Sequence, residues 1–501
     1  MTLQMDFLGL LGARGAKLAV GLAAMFVYAR MFGVSATYDA WVWALGVVNA
    51  VGLIVFGPIT ETLRASYTAI DHREGRPVAE QYLATAAVLM IGGAVVMTLA
   101  IAAVLPTVEM MFASDHPDQA SAAKFFLYVL APSVVITQLI AVVTAHLNCH
   151  GRVFAPEIAG LVGGAVGVLF IVAFPRLPAV WLLPGSYYIG LVAPLLVGVP
   201  SWRGLYRSLR RLEPSTFFRH GRDALAFSLP LLLPYALGQA NGLVERQFAF
   251  EAGTGALAVL SYAFFARNTT QAVFTAALSA LAVPAMARAW DAEDRRPFRD
   301  ALRHWTHQCL MLVTLGMIVL FGLSDLAPAI LFGTKVGPEP QRLLGELLRY
   351  YAVAIIAVVM YLVGGSALLA ARKGKTYALL GALASLVLML LLITLFPFIG
   401  VVAIPVSLLL GLPVVAWMMF NSVDRADAAW LVKQALMRAV VVVGAGWLVR
   451  LADALAQGAT VAFAGRLMIG LSIAGASCAV WWIIDHRIAP SPPRALAETG
   501  T

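Results

Sequence analysis

Apolar runs long enough to cross a bilayer recur along this chain from end to end, and nothing else in its 501 residues competes with that pattern. A helical span needs roughly 20 apolar residues to traverse the hydrocarbon core. Runs of that length fall near 7–32, 38–63, 82–106, 124–147, 154–174, 178–199, 223–248, 256–286, 304–324, 346–371, 376–397, 400–421, 432–451 and 462–484. They amount to about 14 spans, each expected to be helical because lipid-exposed backbone must satisfy its own hydrogen bonds. Pro230 and Pro234 are expected to kink the seventh. Hydrophobic residues make up 61% of the chain and charged ones only 12%, too apolar a mix for a soluble core. The fold class is all-α, a polytopic membrane protein.

Charge placement gives the topology. If the N-terminus is cytoplasmic, the inside segments are 64–81, 148–153, 200–222, 287–303, 372–375, 422–433 and the tail, and these hold most of the 35 Lys and Arg residues. The stretch 200–222 alone carries Arg203, Arg207, Arg210, Arg211, Arg219 and Arg222. Both termini are therefore expected in the cytoplasm. The net charge of +9 reads as topology, with no nucleic-acid partner. The basic connection also divides the chain into a six-helix lobe over 1–199, a linker over 200–222 and a second six-helix lobe over 223–421. Two such pseudo-symmetric lobes suit a secondary transporter. Residues 422–501 add two further helices and a tail, read either as a groove for an acyl or polyprenyl chain or as peripheral packing.

Soluble-enzyme signatures are missing from the sequence: no phosphate-binding Walker loop, no GxSxG and no HExxH, so no catalytic residue and no cofactor is expected. Cys149, Cys309 and Cys478 are too far apart for a paired metal motif. The adjacent Cys149 and His150 read as incidental because no partner ligand accompanies them, so no metal is expected.

The informative polar residues are those inside spans. Arg14 and Lys17 share one helix face within the first apolar run. A charge in mid-membrane costs on the order of 2.5–3.5 kcal/mol and is normally turned toward a wet or polar interior. Asp39 and Asn49 lie in the second span, and Arg267, Asn268 and Gln271 in the eighth. Together these seven are the expected substrate-binding set. Asp39 has an alternative reading as a helix-start dipole or capping residue. Glu245 and Arg246, near the expected outer end of the seventh span, read as a gate or an ion pair, or as snorkelling side chains. An Arg and Lys cavity suits a phosphate or diphosphate, since the guanidinium fork matches phosphate oxygens and the ammonium adds a point charge.

The segment from Ala29 through Arg30, Gly33, Asp39 and Trp41 to Asn49 resembles the ARxFGxxxxxDAF…N signature of MviN/MurJ-type lipid II flippases, within the multidrug/oligosaccharidyl-lipid/polysaccharide exporter superfamily. Leu147-Asn148 with Gly151-Arg152 and Pro156 is similar to that family's LNxxGRFxxP, and Glu245-Arg246, Tyr262-Ala263 and Val283-Pro284 resemble its later blocks. The resemblance implies a two-lobed flippase with a central cationic cavity, in which Asp39 and Asn49 carry over by position. Gly52 and Leu53 stand where the family usually has an Arg pair, Ala24 where it has a second cation, and Phe264-Phe265 where it has Asp-Arg.

These departures give the leading expectation: a divergent relative that flips a polyprenyl-diphosphate-linked oligosaccharide to the outer leaflet by alternating access, for exopolysaccharide or other cell-envelope glycan synthesis. Its partners would be that glycan lipid, the membrane lipid and polysaccharide-synthesis enzymes. The alternatives are a lipid II flippase, a cation-coupled multidrug exporter, and a membrane polysaccharide polymerase or ligase.

Overall fold

The computed structural model describes residues 2–111, 117–150, 152, 154–210, 213–278, 282–290 and 296–488, with side chains described from Gly15 onward at most of these positions. Among the described residues the chain is helical throughout and holds no strand, as the apolar runs require. It packs as two compact units, Met1–Ala258 and Val259–Thr501.

The first unit contains α1 (Thr2–Phe32), α2 (Ala36–Glu74), α3 (Arg76–Met111), α4 (Pro117–Leu130), α5 (Ser133–Cys149), α6 (Phe154–Ala173), α7 (Ala179–Val197), α8 (Val199–Arg210) and α9 (Pro214–Glu251). It also contains the first turn of α10 (Ala256–Ala277). Local chemistry sets the breaks. Gly33, at φ +57°, takes a left-handed conformation that a side chain would resist, and its N–H closes α1 on the Ala29 carbonyl at 3.1 Å. Ser35 then caps α2, its hydroxyl accepting the Tyr38 N–H at 3.3 Å. Between α4 and α5 the axis bends by 42° at the Ala131-Pro132 break, inside the single expected span 124–147.

The second unit continues through α10 to α11 (Val283–Trp290), α12 (Arg296–Gly322), α13 (Leu326–Phe332), α14 (Pro338–Ala370), α15 (Gly374–Ile399), α16 (Ala403–Asn421), α17 (Arg425–Gly458) and α18 (Phe463–Ile488). Its core is α14, with buried residues along most of its length, packed on α12 and α16. The last two helices pack on α12 through small residues: a Cβ on Gly446 would run into Phe321, and one on Gly470 would come within 2.9 Å of Leu323. A polar network locks them further. Arg438, fully buried on α17, donates to Asp485 on α18 at 2.9 Å, and His307 on α12 reaches the other oxygen of that carboxylate at 3.0 Å.

The first unit runs to Ala258, and α9 packs along α2 and α3 within it. Residues of that connection form α8 and the start of α9, with Arg211 outside the described residues. Of the about 14 expected spans, ten helical stretches among the described residues are long and apolar enough, or eleven if the bent α4–α5 pair counts as one. Among the described residues helices fall in every expected span, but α15 and α16 share one apolar stretch, Gly374–Asn421, and α9 and α10 lie outside the ten.

Candidate functional site

The first unit encloses a cavity of about 570 Å³ between α2, α5 and α9. On α2 the lining residues Gly46, Asn49, Leu53, Gly57 and Thr60 recur every three or four positions, which is one helix face, and Glu61 adjoins them. Thr137 and Gln138 come from α5, and Tyr235, Gln239 and Arg246 from α9. Small residues on α2 make room for the larger side chains of α9. A Cβ on Gly46 would collide with the Arg246 side chain, and one on Gly57 with the Tyr235 ring. Tyr235 donates its hydroxyl to Glu61 at 3.3 Å, and the Arg246 guanidinium donates to the Gly242 carbonyl of its own helix at 3.0 Å. Outside the cavity, Trp43 donates to Gln247 at 2.9 Å and Thr62 shares a 2.8 Å hydrogen bond with Ser228, fixing α2 against α9.

Among the described lining residues the charged groups are Arg246 and Glu61. A largely apolar cavity with a guanidinium, a carboxylate and a few amides in its lining can hold an anionic group at the Arg246 side by charge and hydrogen bonds.

The expected binding residues are distributed unevenly. Asn49 lines the cavity. Lys17 does not: its side chain is 55% exposed and its ammonium sits 3.6 Å from Glu157 of α6. Arg14 lies on α1 with its side chain outside the described residues. Asp39 is fully buried. Its carboxylate accepts the backbone N–H groups of Gly255 and Ala258 at the start of α10, and the Gln119 amide at 3.3 Å. Asp39 thus accepts N–H groups at the start of a distant helix, whereas the cap of its own helix, α2, is Ser35. Arg267, Asn268 and Gln271 follow one another on α10 in the second unit, Arg267 lying 5.6 Å over the Phe264 ring.

Glu245 and Arg246 separate in role. Glu245 is buried and accepts the Asn241 amide at 2.8 Å, while Arg246 faces the cavity. Gln138, Thr137 and Tyr235 were not foreseen as lining residues, since single polar residues in apolar runs give no pattern. The reading of Cys149-His150 as lacking partners is corrected as well. His146 precedes His150 by one helical turn, and Glu80 of α3 reaches both rings.

Comparison with known proteins follows the same lines. A model of the lipid II flippase MurJ family matches residues 28–469. A lipid II flippase MurJ of Burkholderia cenocepacia is 21% identical over 351 residues, covering 68% of each chain. Among solved structures, a lipid II flippase MurJ in an inward closed conformation is similar with a TM-score of 0.72 and 16% identity, over 95% of this chain and 98% of that one. An inward-facing multidrug resistance transporter of the MATE family, from the MOP superfamily, matches with a TM-score of 0.69 and 14% identity, over 83% and 96% of the two chains.

Proposed function

This chain belongs to the lipid II flippase MurJ family, and from that premise we propose that its cargo is lipid II, the diphosphate-linked precursor of peptidoglycan. The family makes it a multi-pass protein of the bacterial inner membrane and a transporter of a lipid-linked cargo, not an enzyme. The observation that carries the choice of cargo is the family match over residues 28–469, nearly the whole chain. Arg246 is the residue assigned to the diphosphate, with Gln239, Asn49 and Gln138 as hydrogen-bonding neighbours around the same cavity. The cargo passes from the inner to the outer leaflet by alternating access, and both termini stay in the cytoplasm.

A second reading has one observation in its favour. Gly52 and Leu53, where the family usually carries an Arg pair, line the cavity without charge. A different polyprenyl-diphosphate-linked oligosaccharide, such as an exopolysaccharide unit, suits a cavity with fewer cations.

The test is replacement in a bacterium whose own lipid II flippase can be depleted. This chain is expected to restore growth and the arrival of lipid II at the outer leaflet. Failure to restore either, with the protein present in the membrane, would reject lipid II. Loss of a surface glycan on deletion from the native host would then select the second reading.

A further inference from the structure

Glu80, His146 and His150 form a cluster that flippase function does not use. Glu80 stands on the second turn of α3, and His146 and His150 lie four residues apart at the end of α5. This i, i+4 spacing puts both imidazoles on one helix face, the arrangement helical zinc motifs exploit. The Nε2 atom of His150 is 2.8 Å from one Glu80 oxygen, and that of His146 is 3.8 Å from the other. The three ligand atoms lie within 4.8 Å of one another. Around a tetrahedral zinc with bonds of about 2.0–2.2 Å, ligand atoms are separated by about 3.4 Å. The observed pair distances straddle that value, so small rotations would close the set.

The hydrogen bonds orient the cluster for a cation. The Nδ1 atom of His150 lies 2.7 Å from the His146 carbonyl oxygen, an acceptor only, so that nitrogen carries the proton. In a neutral ring Nε2 is then a bare lone pair aimed at a carboxylate oxygen, two acceptors face to face. A proton or a metal ion between them removes that conflict. The Tyr67 hydroxyl donates to the same Glu80 oxygen at 3.1 Å, in the way outer-shell groups steady a ligating carboxylate. The Nδ1 atom of His146 is buried without a hydrogen-bond partner among the described residues, so no hydrogen bond from that nitrogen explains the ring's position. Each side chain is 14–19% exposed, which leaves a path for an ion.

We propose that Glu80, His146 and His150 bind a divalent first-row transition metal of the zinc class, with an open fourth position. Two imidazoles and one carboxylate favour such ions over magnesium or calcium, which prefer all-oxygen shells. Bound metal ties the start of α3 to the end of α5, a clamp on the first unit.

The test uses the tag-free, full-length protein in detergent, titrated with zinc chloride by calorimetry while its thermal unfolding is followed. About one zinc per chain is expected, with an upward shift in the unfolding midpoint that excess magnesium does not reproduce. Glu80→Gln and His150→Ala should each abolish both effects, while His72→Ala, outside the cluster, should keep them. Zinc binding unchanged in the two cluster variants would overturn the site. So would absence of binding in wild-type protein that unfolds cooperatively, leaving a protonated His150 paired with Glu80.

Discussion

At the scale of single residues, Arg246 states the design problem most clearly. A guanidinium at the centre of a span costs on the order of 2.5–3.5 kcal/mol, and one nearer its end less, unless it meets water or a partner. Here Gly46 opposite leaves space for its stalk, and its head lines the cavity. A charge-assisted hydrogen bond contributes about 1.5–3 kcal/mol, a factor of ~10–100. Arg246→Ala is therefore expected to lower lipid-cargo transport at least tenfold with membrane levels unchanged, and Arg246→Lys to recover part of it, keeping the charge without the planar fork. Transport measured in cells depleted of their own flippase checks this, and full activity of the alanine variant would remove Arg246 from the binding role. Asp39 illustrates the opposite case. Its carboxylate accepts backbone N–H groups of Gly255 and Ala258 within the first unit and does not reach the cavity.

Between elements, close approach depends on glycine. Gly163 and Gly167 on α6 meet Gly190 of α7, while Gly164 faces Val20 of α1. A Cβ on Gly163 would enter the Gly190 carbonyl, and one on Gly167 would come within 2.9 Å of the Ser186 carbonyl. Small residues spaced by four let membrane helices pack backbone to backbone. Gly163→Ala should lower the thermal midpoint in detergent, with overpacking costing on the order of 1–3 kcal/mol. Gly92→Ala, on α3 with nothing within 4 Å of the new methyl, should leave it unchanged or raise it. Equal midpoints for the two variants would mean that α6 and α7 can separate at no cost. Such contacts explain what the sequence did and did not disclose. Apolar runs located the helices, because hydropathy is a local property. The α4–α5 bend escaped notice because Pro132 lies inside an apolar run that continues past it. The cavity was half legible. Asn49 and Arg246 stood out as polar residues in spans, while Gln138 and Tyr235 acquire meaning only when α5 and α9 come to face α2. The metal cluster was illegible for the same reason, since Glu80 is 66 residues from His146 in the chain.

For the whole molecule the decisive question is whether α9 crosses the membrane. It is 38 residues long, roughly 57 Å at 1.5 Å per residue, ample for a bilayer core of about 30 Å. It falls outside the ten apolar helices, yet Gln239 and Arg246, two of its polar residues, are spent on the cavity and need not face lipid. Hydropathy is thus weakest for the helices that carry function, and α9 should span. Reporter fusions decide it. A fluorescent protein joined after Glu213 or Lys373 should fold in the cytoplasm and be bright. Alkaline phosphatase joined after Gly253 or Gly333 should be active outside. If α9 remained on one side, fusions after Glu213 and Gly253 would report the same compartment. Arg246 would then sit in no membrane cavity, and the assignment of the diphosphate to it would fall with the topology.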